Sequence, residues 1–565
     1  MKKIWNLKEI DKKDIDNLVL ELNISKVLSK LLLNRGVSTK NDAKDFFFPS
    51  LDKMPSPFLM YGIDKSIERI ILAIERNEKI IIYGDFDCDG ITSTAILFSF
   101  LESIGSNVGT YNPDRMTEGY GINFESIKEL HNQGTKLLIT TDCGISENDV
   151  ITKSKTFDID FIITDHHTVP EVLPDAYSII NPKLSQCSYP FKDICAAGVV
   201  FNLIVGLRSK LREKGFFENI DEPNLARYLD LVSIGTIADS MPITGVNRIF
   251  VSNGLKEIKK TTRKGLKHLI GGKDKEKFMV RDISFLIAPK INAAGRVGKA
   301  SDAVNLLTNN DENEIERLVG ILEANNTNRQ HIQEKVFSEA DNIAQKKLKD
   351  NPQKSSLVLY SPDWHPGVLG IIASRIVKKF GVPCAVLSSK ESIAKGSLRT
   401  ANDINLYDIL EKCSEYLIQF GGHSAAAGIT IKENNILKFE QLFDQLVSKN
   451  DFIIGEKINI DSTIDLNEIN INLIRDIEKM EPFGKGNPYP IFLVKNVDIQ
   501  SKRVLKEKHL ELYIGDSTVR KRGIWFNFKK PMEETNKANI VFTIQRDQYR
   551  GDDNLNLNII DIEWS

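Results

Sequence analysis

Three short apolar runs, each ending in acidic or imidazole side chains, constrain this fold more than anything else in the chain. They are "KIIIYGD" (79–85), "TKLLITTD" (135–142) and "DFIITDHH" (160–167). Helical patterns such as "GITSTAILFSFLESIG" (90–105) separate them. A strand with one solvated face would alternate apolar and polar residues. Near-continuous apolar strands between helices instead predict an α/β domain, a doubly wound parallel sheet covered on both faces. In such a sheet the carboxyl ends of the strands share one edge, and ligands bind in the crevice there. The topology therefore predicts that Asp85, Asp87 and Asp89, then Asp142, then Asp165, His166 and His167 converge in space. Asp239, which ends the apolar run of "LVSIGTIADSMP", is a fourth candidate.

Three aspartates within five positions of "GDFDCDG" repel one another unless a cation needs them. Alone, that stretch reads equally well as a calcium-binding turn or a solvated loop, and "DHH" alone as a turn at a strand end. All the clusters together argue for metal. Carboxylates with one or two imidazoles suit Mn²⁺ or Mg²⁺ better than zinc, since thiolate ligands are missing. Cys88 and Cys143 flank the aspartates as small packing residues. So many carboxylates exceed the needs of one ion. Two ions about 3.5–4 Å apart, sharing a bridging carboxylate, would neutralise them and activate a water for hydrolysis of a phosphoester or phosphoanhydride.

The chain of 565 residues is too long for one core, and about three or four domains are expected. Residues 1–60 read as an N-terminal helical segment and 61–305 as the catalytic α/β domain. Residues 306–350 read as a long connector helix or, alternatively, a core helix of the first domain. Alternation restarts over 351–450 as a second α/β domain. Short strands with polar breaks over 455–565 predict a small β-barrel. Six cysteines stand at 88, 143, 187, 195, 384 and 413 without a CxxC pair, which fits neither a zinc ribbon nor a disulfide framework and suggests a reducing, cytoplasmic setting. No apolar run is long enough for a membrane span, and "MKKIWNLKEIDKKDID" lacks the apolar core of a signal peptide. A net charge of −2 rules out a uniformly basic nucleic-acid binder, so any such binding must use a local groove.

"GDFDCDG", "TTDCG", "TDHH" and "GTIADSMP" resemble the successive motifs of the DHH phosphoesterase superfamily, and "GGHSAAAG" (421–428) resembles the DHHA1 signature. Together with "RMTEGYG", "NAAGR", "HPGVLGIIASR" and "GSLRT", the set is similar to the RecJ single-strand DNA exonucleases from about residue 30 onward. The resemblance implies a DHH domain, a DHHA1 domain and an OB-like barrel. It implies a 5′-to-3′ exonuclease that degrades single-stranded DNA to mononucleotides in recombination and repair. Asp87 and Asp89 would ligate different ions, Asp142 would bridge them, His166 and Asp239 would complete the second site, and Asp85 and His167 would support the centre. Relatives with other substrates carry histidine where this chain has Tyr83, which makes Asp85 the natural replacement ligand.

The same resemblance makes Arg115 a phosphate contact rather than a surface-loop arginine. Arg296 becomes a clamp on the scissile phosphate rather than a helix cap. Ser397 and Arg399 would hold a 5′ end, with Gly421, Gly422 and His423 approaching the substrate; His365 and Arg375 are weaker candidates. "SKRVLKEKH" and "RKRGIWFNFKK" could be solvated faces, but an OB-like barrel with exposed Trp525 or Phe526 would hold single strands by stacking and phosphate contacts. Single-stranded DNA, a single-strand-binding protein and a RecQ-type helicase are the implied partners. The competing functions are a hydrolase of short RNA or cyclic dinucleotides, a pyrophosphatase and a non-catalytic replication scaffold. The first two would not need the barrel, and the third would have lost its metal ligands.

Overall fold

Burial on both faces explains why the strand Lys79–Gly84 is almost wholly apolar. Ile80 and Ile82 belong to one core cluster, and Ile81 and Tyr83 to another. The computed structural model describes residues 3–115, 117–119, 121–271, 275–400, 404–450, 456–528, 535–547 and 554–565. Five parallel strands lie in the order Val108–Tyr111, Lys79–Gly84, Thr135–Thr141, Asp160–Thr164, Ser178–Ile180. The chain steps from Lys79–Gly84 to one side and then jumps back to the other. The switch point therefore falls between Lys79–Gly84 and Thr135–Thr141, where Asp85 and Asp142 emerge.

The expected helix after the first strand runs over Cys88–Ser103, two residues earlier at its start than the pattern suggested. Asp87 is the reason. Its carboxylate caps the helix, accepting from Asp89 N at 2.8 Å and Gly90 N at 3.2 Å. Asp239 follows the helix Leu229–Ala238, so the apolar run before it is helical, unlike the three strand runs.

The chain forms two units, Leu7–Glu323 with Asn459–Ser565, and a second built on Ala324–Ile458. It passes between them within one helix, Glu312–Asp350. Ile315, Leu318 and Leu322 are buried in the core of the first unit, and Val336, Ala340 and Ala344 in that of the second. The helix is thus both things its pattern allowed, a core element at each end and a connector between.

In the second unit the strand order is Leu417–Gly422, Ala426–Lys432, Ile393–Arg399, Cys384–Lys390, Leu357–Tyr360, with only the last pair parallel. Val358, Leu387 and Leu398 face one core cluster; Leu357, Val386 and the helix Leu369–Phe380 form another.

The C-terminal strands Phe492–Leu505, His509–Gly515, Arg520–Trp525, Leu555–Trp564 and Lys537–Arg546 close into a five-stranded barrel through pairing of the first with the last. Its core is shared with the N-terminal helices: Leu18, Leu28, Leu31 and Phe46 pack with Ile474, Ile477, Phe492 and Phe542. Arg248, on the helix Gly245–Lys260, ties this assembly to the domain that carries the parallel sheet. Its guanidinium donates to the carbonyls of Phe46 at 2.7 Å, Met480 at 3.0 Å, Glu481 at 2.8 Å and Pro482 at 3.3 Å. It also stacks 3.8 Å from the Phe46 ring. Burial pulls Arg248 down to about 10, and the neighbouring charge of Arg35 adds to the effect. Among the described residues no helix is long and apolar enough to cross a membrane.

Candidate functional site

Each acidic residue reaches the sheet edge by a definite local device. Asp85 leaves its strand with its N–H still bonded to Thr141 O at 3.1 Å. Asp89, in the first turn of its helix, turns its carboxylate onto the start of another, Ala196–Glu213; Ala196 N donates at 2.7 Å and Ala197 N at 3.0 Å. Asp142 holds a left-handed backbone at φ 67°, an uncommon state for a non-glycine residue and one that concentrates at functional sites. Asp165 accepts from the backbone N–H groups of His166 at 2.7 Å, His167 at 3.0 Å and Ile145 at 3.0 Å. Its Oδ1 lies 2.8 Å from His167 Nδ1. It therefore fixes the His167 imidazole from behind and the His166 backbone beside it, a role the sequence had not pointed to.

The predicted convergence is present. His166 Nε2 lies 3.1 Å from Asp142 Oδ1 and 3.8 Å from both Asp89 Oδ2 and Asp239 Oδ2. Two disjoint triads have ligand atoms within 4.8 Å of one another, Asp85/Asp87/Asp142 and Asp89/His166/Asp239. A third group, Asp142/His166/His167, joins them. Asp87 and Asp89 thus fall in different triads, while Asp142 belongs to one and sits beside the other.

These carboxylates oppose one another electrostatically. Burial, then the charge of Asp87, raises Asp85 to about 8. Burial, then Asp89 and Asp87, raises Asp239 to about 8. Burial, then Asp87, raises Asp89 to about 6, against the pull of the Ala197 and Ala196 N–H groups. Burial and four surrounding aspartates push Asp142 well above the usual carboxylate range. At His167 burial would lower the pKa, but the hydrogen bond and charge of Asp165 raise it to about 9. Burial likewise opposes the ionised form of Asp165, and His167 outweighs it and holds Asp165 low. Asp85 Oδ1 and Asp142 Oδ1 are buried with no hydrogen-bond partner. Oxygen-rich donors, two imidazoles and orphaned carboxylate oxygens fit hard divalent cations.

Arg115 reaches this centre: its guanidinium lies 4.9 Å from the Phe86 ring, and burial lowers its pKa against the raising charges of Asp85 and Asp87. Met116 and Tyr120 of the same motif lie outside the described residues. Tyr83 does not face the centre as a substitute ligand. Its hydroxyl donates to Gly121 O and accepts from Asn123 N, both at 3.3 Å, and so pins the loop that carries Arg115. Arg296 is half-buried and follows Gly295, where any side chain would strike Phe86 O. Asn292, one turn earlier, accepts from Cys88 N at 3.0 Å. Sequence reasoning missed Lys485. It lies in the segment leading into the barrel, where Lys485 O accepts from Ile243 N at 2.7 Å and the Lys485 charge favours ionised Asp239.

The end-binding candidates lie in the second unit, on neighbouring register positions of three adjacent strands. Ser397 pairs with Gly428 and Gly428 with Gly421; Arg399 pairs with Ala426, whose carbonyl accepts from His423 N at 2.8 Å. Gly422, at φ 137°, lies beside Gly421 in this bend. Burial lowers Arg399, and among the described residues no carboxylate forms an ion pair with it. The two weaker candidates have structural partners. His365 Nδ1 accepts from Gly367 N at 3.1 Å, and Arg375 pairs with Glu334 at 2.6 Å while stacking 3.7 Å from the Phe337 ring.

The barrel corrects one expectation. Trp525 is buried, because strand alternation turns it into the core; Phe526, beyond the strand end, is 50% exposed beside the His509 ring. The basic run before them is also partly structural. Arg522 pairs with Glu511 at 2.8 Å and Asp547 at 3.1 Å, and Lys521 donates to Ile469 O, leaving Arg520 exposed over the Tyr513 ring. Lys529 and Lys530 lie outside the described residues.

Family models match the chain in three places: the DHH family N-terminal domain over residues 79–236, the DHHA1 domain over 353–449 and the RecJ OB domain over 460–561. The single-stranded-DNA-specific exonuclease RecJ of Haemophilus influenzae is 34% identical over 536 residues, which span 91% of this chain and 92% of that one. The chain belongs to the RecJ family. RecJ of Bacillus subtilis is 33% identical over 533 residues, 93% of this chain but 66% of that relative, so this chain spans about two thirds of its length. The crystal structure of Thermus thermophilus RecJ in complex with Mn²⁺ matches with a TM-score of 0.85 at 25% identity, over 100% of this chain and 80% of that one. The RecJ order of DHH, DHHA1 and OB domains is kept throughout.

Proposed function

We propose that this chain is a metal-dependent exonuclease that releases mononucleotides from the 5′ end of single-stranded DNA in recombination and repair. The observation that carries the reading is the pair of disjoint ligand triads at one sheet edge in a chain of the RecJ family. Asp85, Asp87, Asp89, Asp142, His166 and Asp239 would hold two Mn²⁺ or Mg²⁺ ions, which when bound make a water nucleophilic at neutral pH and offset phosphate charge. The protein's own groups do the rest. Arg115 and Arg296 bind phosphate oxygens through planar, always-charged guanidinium groups. His167, held by Asp165, supports the centre beside Asp142 and His166. Ser397, Arg399, Gly421, Gly422 and His423 receive the strand's terminal phosphate and set which bond is cut. The barrel carries the strand's continuation on surfaces such as Phe526 and Arg520.

Single- and double-stranded oligonucleotides of DNA and RNA, labelled at either end, test this with Mn²⁺, with Mg²⁺ and with chelator. Metal-dependent release of labelled mononucleotide from the 5′ end of single-stranded DNA is the expected result. Release from the 3′ end, or equal rates with chelator, would overturn it. The same reading puts the enzyme in the cytoplasm, with a single-strand-binding protein and a RecQ-type helicase as partners; co-purification of either with the native protein is the check.

A further inference from the structure

Gly370 occupies a place in the helix Leu369–Phe380 where glycine needs a reason. Glycine is a poorer helix former than alanine. Its backbone here is not in the left-handed region, so conformation does not call for it. The reason is space. A β-carbon at this position would lie 3.1 Å from Arg399 Nη2, 3.5 Å from Ser397 Oγ and 3.7 Å from Arg399 Cζ, and these are its three nearest atoms. The first contact is tighter than a β-carbon normally makes, so the guanidinium would have to move. The three atoms a methyl would crowd first therefore all belong to the candidate end pocket.

The surroundings add to this. Gly370 lies in the first turn of the helix, which has no side-chain cap, so the turn's N–H groups and the helix dipole favour an anion near the same two residues. Among the described residues Arg399 has no carboxylate partner, and its Nη1 donates to the carbonyl of Leu398 at 2.7 Å, leaving Nη2 as the atom next to Gly370.

We propose that Gly370 is a specificity-determining residue of this enzyme. The bare backbone there keeps the Arg399 fork and the Ser397 hydroxyl open to a phosphate monoester, and so selects strands with a 5′ phosphate over strands with a 5′ hydroxyl. The inference rests on the reading of Ser397 and Arg399 as the holder of the 5′ end. A methyl at 370 would leave the metal ligands untouched but would push Arg399 Nη2 a few tenths of an ångström from the position in which it is offered to the phosphate.

The test compares kcat and KM on 5′-phosphorylated and 5′-hydroxyl single strands for wild type, Gly370→Ala, Arg399→Ala and Arg399→Lys. It adds the double variant Gly370→Ala/Arg399→Lys and, as control, Gly320→Ala, where a β-carbon meets nothing within 4 Å. Loss of one charged hydrogen bond predicts that Gly370→Ala raises KM for the phosphorylated strand about tenfold, with kcat and the hydroxyl strand little changed. Its melting temperature should hold or rise, as for Gly320→Ala, since alanine favours the helix. The methyl should cost less beside the slimmer side chain of the Arg399→Lys variant, which gives a non-additive cycle. If wild type shows no preference for the phosphate, the end-pocket reading itself falls. If wild type prefers the phosphate and Arg399→Ala loses that preference while Gly370→Ala keeps it, only the Gly370 inference falls. A Gly370→Ala chain that fails to fold both alone and combined with Arg399→Lys also overturns it, because the methyl would then be striking something other than the guanidinium.

Discussion

The candidate metal centre and the candidate end pocket are charge-imbalanced in opposite senses. At the sheet edge of the first unit, buried aspartates crowd together until Asp85, Asp89, Asp142 and Asp239 all resist ionisation. On the second unit's sheet, Arg399 is half-buried with its charge unmatched by any described carboxylate. A stable scaffold would have paired these groups internally. Leaving one region short of cations and the other short of an anion marks both as built for something that arrives from outside. On the proposed reading the regions also divide the labour: the first would act on a phosphorus centre, and the second would position a strand.

That division is broken most directly at Asp142. Asp142→Ala should lower hydrolysis of any single strand by more than about a hundredfold, beyond the usual cost of losing an outer-shell partner. Circular dichroism should stay native-like. Near-wild-type rates in the purified variant would dissolve the contrast, since the bridging position would then carry no chemistry. Arg399→Ala attacks the other side. It should cost about 1.5–3 kcal/mol of 5′-phosphate binding, roughly ten- to a hundredfold, while turnover at saturating strand changes little. If the variant instead loses turnover and keeps its preference for a phosphorylated end, the labour is not divided as described.

A third region sharpens the comparison. Phe526→Ala should weaken binding of long single strands about fivefold, near 1 kcal/mol of stacking, and leave dinucleotide-length substrates alone. Equal losses on both lengths would remove the barrel face from the strand's path. A point variant is needed here, because deleting the barrel would strip the apolar faces of Leu28, Leu31 and Phe46 bare.

The smallest effect is one of pH. Asp85 and Asp239 at about 8 and Asp89 at about 6 lie above the unfolded value of about 3.9. A raised carboxylate favours the metal-free fold fully below the unfolded value and loses that contribution as pH climbs through the folded one. The metal-free protein should therefore weaken between about pH 6 and 8.5, and Mn²⁺, which binds the ionised carboxylates, should raise the melting temperature more at pH 8.5 than at pH 6. The larger shift at pH 8.5 is the expected result. An equal or smaller shift at pH 8.5 would mean that the aspartates are not the groups metal binding deprotonates.

How much of this could be read beforehand followed the range of the interactions. The strand-end aspartates were legible because a sheet covered on both faces writes its strands as unbroken apolar runs, and the acidic break at each end stands out. The double character of the long helix was legible as a choice but not as an answer, since Ile315 and Ala344 have the same periodicity whichever core they enter. Trp525 was misplaced because one residue of register decides whether an aromatic faces inward. Lys485, Gly370 and Arg248 left no local signal at all. Each matters through a neighbour in space, Ile243, Arg399 or Phe46, that no pattern of a few residues can name. Tyr83 was noticed as an oddity, but the loop it pins lies some forty residues on.

The Arg248 clamp has a consequence for how the chain is made. Its guanidinium needs carbonyls from residue 46 and from residues 480–482, and the helices over residues 12–47 share a core with strands that begin at Phe492. Roughly 400 residues separate these halves, about 20–80 s of synthesis at 5–20 residues per second. Through that interval the early helices have been translated but cannot bury their apolar faces, and helices so short do not hold their shape alone. A growing chain therefore carries an unfinished surface from its opening to its close. Any pause or premature stop before the barrel leaves a sticky, protease-sensitive N-terminal segment on an otherwise folded catalytic domain.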